Sequence, residues 1–258
     1  MIKLEIKKRL LLAIRTTKIC ERLLNRSIKL KKQSKIKGKS PRDIVLKEDI
    51  ILEDKIYKLV SRSFKNDSFL GEELGIKKKM GDFEWVVDPL DGTVNYIHGI
   101  PVYAISIAIF YKKRCVAGVI YNVKEKELYY ASKNNGAYMN GKRIFVSNEK
   151  KLENSLIIAL LPSKVNHKSK IYTLISKLND ISRGVLRIGS SAIAYTYLAS
   201  GKVQAIWGCN NKIWDVSAGI IISSEAMGKT TKNNKKFKNV KTLLSTNKFI
   251  HKSLIKYI

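Results

Sequence analysis

The chain is 258 residues long, 45% apolar and 9% aromatic, which excludes a disordered chain and leaves room for one large domain or two small ones. Fifty lysines and arginines against 21 acids give a net charge of +29, suited to nucleic acid, an anionic membrane surface or a phosphate-bearing substrate. The basic residues are scattered through every segment with no aromatic-interleaved basic run, so compositional drift is the preferred reading and nucleic acid is not favoured as a partner.

In chain order, residues 3–30 place Leu10, Ala13, Ile14, Thr17, Cys20 and Leu24 at helical spacing, an amphipathic first helix. Lys31–Arg42 is polar, with Gly38 and Pro41, and reads as a mobile basic loop. A second helix is expected over about 47–64, with Ile50, Ile51, Ile56, Leu59 and Val60 as its apolar stripe. Ser68–Leu70 is a short strand ending at Gly71-Glu72-Glu73. Trp85-Val86-Val87 is a buried strand that stops at Asp88, because Pro89 forbids its continuation. The β-branched and aromatic runs Val102–Tyr111, Cys115–Asn122 and Glu127–Ser132 are strands, and Asn140-Gly141 is a hairpin turn. Leu156–Leu161 is a strand, Lys168–Leu178 a helix and Val185–Ile188 a strand. Ser190 then caps a helix running to about Ser200, leaving N–H groups free for an anion. Val203–Trp207 is a strand, and Ile213–Met227 a helix with Asp215 in its first turn. Residues 229–241 are lysine-rich. The early run of strands followed by strand–helix alternation divides the chain into 1–150, an α+β part with most of the acidic motifs, and 151–258, an α/β part that completes the site.

Cys20, Cys115 and Cys209 are odd in number and far apart, which argues for reduced, packed thiols and a cytoplasmic setting. His98, His167 and His251 lack zinc spacing. Arg15 and Lys18 cut the apolar run at Leu10–Ile14 too short for a signal peptide, and no stretch approaches a membrane span.

The chemistry concentrates at Asp88-Pro89-Leu90-Asp91-Gly92-Thr93-Val94-Asn95-Tyr96. Two acids at a strand end, beside free carbonyls, make a hard-oxygen set suited to Mg²⁺, which keeps waters for a substrate phosphate. Gly92 allows close approach to the backbone, and the Thr93 hydroxyl can orient a water. Glu72 and Glu73, alone a solvated turn, would share the mouth of the same sheet. Asp215, alone a helix-dipole acid, would add another carboxylate.

These stretches, with Trp214-Asp215-Val216-Ser217-Ala218-Gly219, Gly189-Ser190-Ser191-Ala192, Gly99-Ile100-Pro101 and Gly136–Gly141, resemble the inositol monophosphatase family in order and separation, over about residues 5–250. The resemblance implies an α-β-α-β-α layered sandwich, of the kind shared with fructose-1,6-bisphosphatases. It also implies a homodimer that hydrolyses phosphate monoesters with Mg²⁺ and is inhibited by Li⁺. By similarity, Glu72, Asp88, the Leu90 carbonyl, Asp91 and Asp215 hold the metals. Leu90, Asp91, Gly92, Thr93, Gly189, Ser190, Ser191 and Asp215 surround the substrate. The family's loop aspartate falls on Asp49, which by similarity pairs with Thr93 to position the attacking water, Glu72 being the third catalytic residue, and its mobile lysine falls on Lys39.

Three positions depart from the pattern. Leu46 replaces a loop threonine, Lys229-Thr230-Thr231-Lys232 replaces an acidic turn, and Gly208 stands where relatives place a glutamate that binds substrate hydroxyls. The expected function is therefore a Mg²⁺-dependent phosphatase for inositol monophosphate or a related sugar or polyol phosphate. The alternatives are a dual-specificity fructose bisphosphatase and, in another class, a basic scaffold for nucleic acid or ribonucleoprotein. Retention of so many clustered acids favours the enzyme.

Overall fold

A computed structural model of the chain describes residues 2–29, 34–36, 44–162, 170–233 and 241–257. The expected basic loop, with Lys39, lies outside the described residues apart from 34–36. Helix α1 (Ile2–Lys29) is followed by a small antiparallel pair, β1 (Ser34–Ile36) and β2 (Ile44–Leu46), and by α2 (Lys47–Ser63). Next come β3 (Ser68–Gly71), β4 (Gly75–Lys77), β5 (Phe83–Asp91), the short helix α3 (Thr93–Ile97), β6 (Ala104–Tyr111), β7 (Arg114–Asn122), β8 (Glu127–Ser132), β9 (Ala137–Met139) and β10 (Lys142–Arg143). The eight strands from β3 to β10 form one sheet, ordered β10-β9-β8-β7-β6-β5-β3-β4. The second half supplies β11 (Leu156–Leu160), α4 (Lys170–Asp180), β12 (Gly184–Leu186), α5 (Ser191–Ala199), β13 (Ala205–Cys209), α6 (Ile213–Glu225), β14 (Gly228–Asn233), β15 (Thr242–Asn247) and α7 (His251–Leu254). Its five strands are ordered β12-β11-β13-β15-β14.

Period-2 alternation along the strands separates three cores. On β5, Trp85 and Val87 face outward onto α1 and α2, where they meet Ala13, Cys20, Leu52 and Ile56. Val86 faces the other way, onto α5 and α6. The second sheet does the same: Ile158 and Ile206 join that inner core, while Ile157 and Trp207 pack on α4 and α7. The result is the α-β-α-β-α sandwich expected from the resemblance, with α5 and α6 as the middle layer. These inner helices are apolar all round, as a layer between two sheets must be.

The structure corrects three readings. Pro89 does not end its strand: β5 continues to Asp91 through a bulge, for the reason given below. In α2 the buried stripe is Leu52, Ile56 and Val60 together with Glu48, Asp49 and Glu53, while Ile50 and Ile51 are exposed. Lys229-Thr230-Thr231-Lys232, set where the resemblance places a turn, lies in a strand, because Gly228–Asn233 pairs along its whole length with Thr242–Asn247.

One buried ion pair fastens α1 to the first sheet. The Arg9 guanidinium bonds both oxygens of Asp67, at 2.7 and 2.8 Å. It lies 4.1 Å from the ring centre of Phe64 and 3.6 Å from that of Phe83. The Trp85 indole N–H donates to the same carboxylate at 2.8 Å. With every charge paired and the cation over two rings, this group stays buried without an unsatisfied partner.

Candidate active site

The site begins with the count of residues along β5. Asp88 opposes Ser106 and Asp91 opposes Ala104 on β6, so three steps on one strand match two on its neighbour. That extra residue is a β-bulge. In a regular strand, residues three apart point to opposite faces; the bulge restores the phase and puts both aspartates on the inner face. Pro89 fits there because β3 ends at Gly71, opposite Val87, leaving no partner for an N–H on that side. The chain then turns at Gly92 (φ 92°), where a Cβ would stand 2.7 Å from the Val102 carbonyl. Asn95 fastens the turn to the next wall, its amide donating to Val102 O (2.7 Å) and Ile188 O (2.8 Å).

The helices of the middle layer deliver the remaining groups. Asp91 accepts from the Ser190 hydroxyl and from the N–H groups of Ser191 (3.2 Å) and Ala192 (2.8 Å). The first-turn donors of α5, expected to be free for an anion, are thus already taken by an anion from the protein itself. Ser190 is the N-cap, as expected, and accepts from Ile193 N. Asp215 caps α6 by accepting from Lys212 N at 2.8 Å. Glu72 follows β3, its N–H donating to Val87 O at 3.2 Å. Its turn is held by Glu53 of α2, fully buried, whose oxygens accept from Glu73 N (2.9 Å) and Leu74 N (2.7 Å).

Glu72, Asp88, Asp91 and Asp215 line one cavity of about 650 Å³, with Leu90, Gly92, Thr93, Gly189, Ser190 and Ser191. Among the described residues none of the four carboxylates is ion-paired. Burial, then the charges of Glu72 and Asp91, push Asp88 well above the usual carboxylate range. Burial first, then Asp91, raises Asp215 to about 7. Glu72 is open to the cavity at its side chain, yet the enclosing protein and Asp215 raise it too. Asp91 rises less, to about 6, because its three donors oppose burial. Like charges this close in a low-dielectric cleft hold protons or call for a cation. Among the described residues, however, no three His, Cys, Asp or Glu side chains converge on a single point. The donors are all hard oxygens, which fits Mg²⁺ rather than a soft metal.

The structure leaves one expected pair unmade. Thr93 Oγ1 donates to the Leu90 carbonyl at 3.0 Å, not to Asp49. Asp49 accepts from Leu46 N at 2.7 Å through Oδ2, while its Oδ1 is buried and unbonded. Burial raises this carboxyl to about 7. Two residues at the site escaped sequence reasoning. Arg187 lines the cavity as a cation, and Glu53 reads in sequence as an ordinary helix-surface acid. At Gly208, a Cβ would collide with Asn211 Oδ1, a buried acceptor without a partner. The space left by the absent glutamate is thus occupied in part by Asn211.

Among solved structures, the extragenic suppressor protein suhB of Bartonella henselae superposes with a TM-score of 0.86 at 31% identity, covering 95% of this chain and 96% of that one. The inositol-1-monophosphatase of Mesorhizobium japonicum is 37% identical over 193 residues, 74% of this chain and 72% of the relative. The fructose-1,6-bisphosphatase/inositol-1-monophosphatase of Aquifex aeolicus is 32% identical over 224 residues, 86% and 84% of the two chains. A layered sandwich with a carboxylate-lined cavity at the mouth of its first sheet, and relatives of this kind, define an enzyme of the phosphatase class. The inositol monophosphatase family model matches residues 6–258, and the chain belongs to that family.

Proposed function

We propose that the chain is a Mg²⁺-dependent hydrolase of phosphate monoesters, acting on inositol monophosphate or a related sugar or polyol phosphate. The observation that carries this reading is the set of four carboxylates around one cavity, none of them ion-paired among the described residues. Glu72, Asp88, Asp91, Asp215 and the Leu90 carbonyl would hold the metal. When bound, it supplies charge neutralisation of the phosphate and a more acidic water. The chain's own part is positional. Gly92 lets the phosphate approach the backbone, and Thr93, with Asp49 once its free oxygen is engaged, orients the attacking water. Water oxygen bonds to phosphorus, the ester P–O bond breaks, and the departing alkoxide takes a proton. Gly189, Ser190 and Ser191 form the wall beside the phosphate, and Lys39 takes the part of the family's mobile lysine by resemblance alone.

The missing acid at position 208 leaves sugar hydroxyls without a charged acceptor, so breadth across phosphomonoesters goes with this reading. The name of the Aquifex relative supports fructose 1,6-bisphosphate as an additional substrate. A cytoplasmic homodimer, Li⁺ sensitivity, and a division into 1–150 and 151–258 complete the proposal. The test is phosphate release from a panel of inositol, glycerol and fructose phosphates, with Mg²⁺ and with EDTA. Release that needs Mg²⁺ and vanishes in Asp91→Asn is expected. Full turnover by protein shown metal-free by elemental analysis would sink it.

A further inference from the structure

A second concavity on the described surface has a different chemistry. Two cavities of about 560 and 650 Å³ share Lys7, Leu10 and Tyr130, and so form one groove between α1 and the β8–β9 hairpin. Lys3, Lys7 and Lys133 line one part and Lys7, Lys18 and Lys126 the other: five lysines, with no aspartate or glutamate among the lining residues. Three neighbouring acids are engaged elsewhere. Glu5 pairs with Lys8 and Arg9, Glu127 with Lys202 and the Tyr129 hydroxyl, and Glu225 accepts from Asn134 N and Gly136 N.

Inside this cationic frame stand flat π surfaces. Tyr130 and Tyr138 face each other across β8 and β9, their ring centres 5.5 Å apart and their planes within 14°. The Arg143 guanidinium lies 5.4 Å from the Tyr138 centroid and donates to Asn135 O, which fixes the end of the stack. Both tyrosines are half-buried, so their rings are held in place and still present surface. The sequence shows no interleaving of basic and aromatic residues because the lysines come largely from the first helix and the rings from later strands. Only the fold interleaves them.

We infer that this groove binds single-stranded nucleic acid, phosphates on the lysines and bases on the ring surface that the stacked tyrosines leave exposed. Lysines along a channel follow a phosphate backbone, and aromatic rings stack bases without regard to sequence. A lipid surface is flat and does not enter a groove between a helix and a hairpin. A second copy of the chain docked groove to groove would bring these lysines against the same lysines.

The test is fluorescence anisotropy of labelled oligo-uridine and oligo-adenosine on the full chain over a range of salt. Binding should weaken linearly in log affinity against log salt. Lys7→Gln and Lys133→Gln should each flatten that slope by about 0.7. Tyr130→Leu with Tyr138→Leu should weaken binding on the order of tenfold and leave the slope alone. Phosphate release should be unchanged in all of these. If the tyrosine variant unfolds, photocrosslinking of a thiouridine oligonucleotide to the wild type takes its place, with the Tyr130–Tyr138 segment as the expected product. Unaltered slopes in both lysine variants, crosslinks elsewhere, or binding to phosphatidylserine vesicles or an acidic peptide but not to oligonucleotides would each overturn the inference.

Discussion

Asp91 and Thr93 are two residues apart, yet their side chains work in opposite ways. Asp91 accepts three hydrogen bonds from α5 and is held rigid, whereas Thr93 makes one, to a carbonyl that would itself be a metal ligand. Replacing Thr93 by alanine leaves that carbonyl in place and removes only the hydroxyl that would orient water. Steady-state kinetics should show kcat lowered by about 10²-fold with KM nearly constant, because the lost interaction serves the transition state. An unaltered kcat would remove Thr93 from the proposed chemistry. Asp88 and Asp91 were legible by residue type, since acids bunched beside a proline and a glycine have few structural uses, whereas Asp215 drew notice only beside them and through the family resemblance. Glu53 was not: a glutamate within a helical pattern is nearly always at the surface. Its role depends on the turn at Glu73 and Leu74, which arrives later in the chain.

At the scale of elements, hydrophobic periodicity located the long helices and the meander from β6 to β8 closely. It failed where pairing or function overrides pattern. Lys229–Lys232 lies in a strand because β15 offers it an antiparallel partner, information no local window holds. The face of α2 was misjudged because the helix turns three carboxylates inward and leaves Ile50 and Ile51 outside. The bulge in β5 was invisible for a related reason: proline's usual effect is to stop a strand, and only the early end of β3 permits otherwise. Pro89→Ala should keep the bulge and most of the activity. Deleting Pro89 should return the strand to regular alternation with Asp88 and Asp91 two residues apart and still on one face. It should draw the Leu90 carbonyl into the ladder and lower phosphate release by at least tenfold, while circular dichroism stays native-like. Activity within a few-fold of wild type in the deletion would show that the bulge serves only to accommodate the extra residue.

For the whole molecule the buried carboxylates are a source of instability once ionised, and on the proposed function Mg²⁺ would relieve it. Unfolded aspartate and glutamate release their protons near pH 4, whereas in the folded protein Asp91 does so at about 6 and Asp49 and Asp215 at about 7. Between those limits the folded state binds more protons than the unfolded one, so stability falls as pH rises. Metal-free protein should therefore lose melting temperature steadily from about pH 5 to about pH 8, and Mg²⁺ should flatten the profile. A melting temperature that rises over that range without metal would contradict the assigned repulsion. Shape and site were legible together because one acidic motif served both; the groove was not, because its parts come from distant elements.

Arg9 divides α1 into two unequal parts. Ahead of it lie Lys3 and Lys7, which line the tyrosine-lined groove; at it lies the bolt through Asp67 to Trp85, a residue on the same strand as Asp88. Exchanges at the exposed lysines would therefore alter the groove and leave the strand that carries the acids in place. Drift past Arg9 would reach that strand directly, through the core that Ala13 and Cys20 share with Trp85 and Val87.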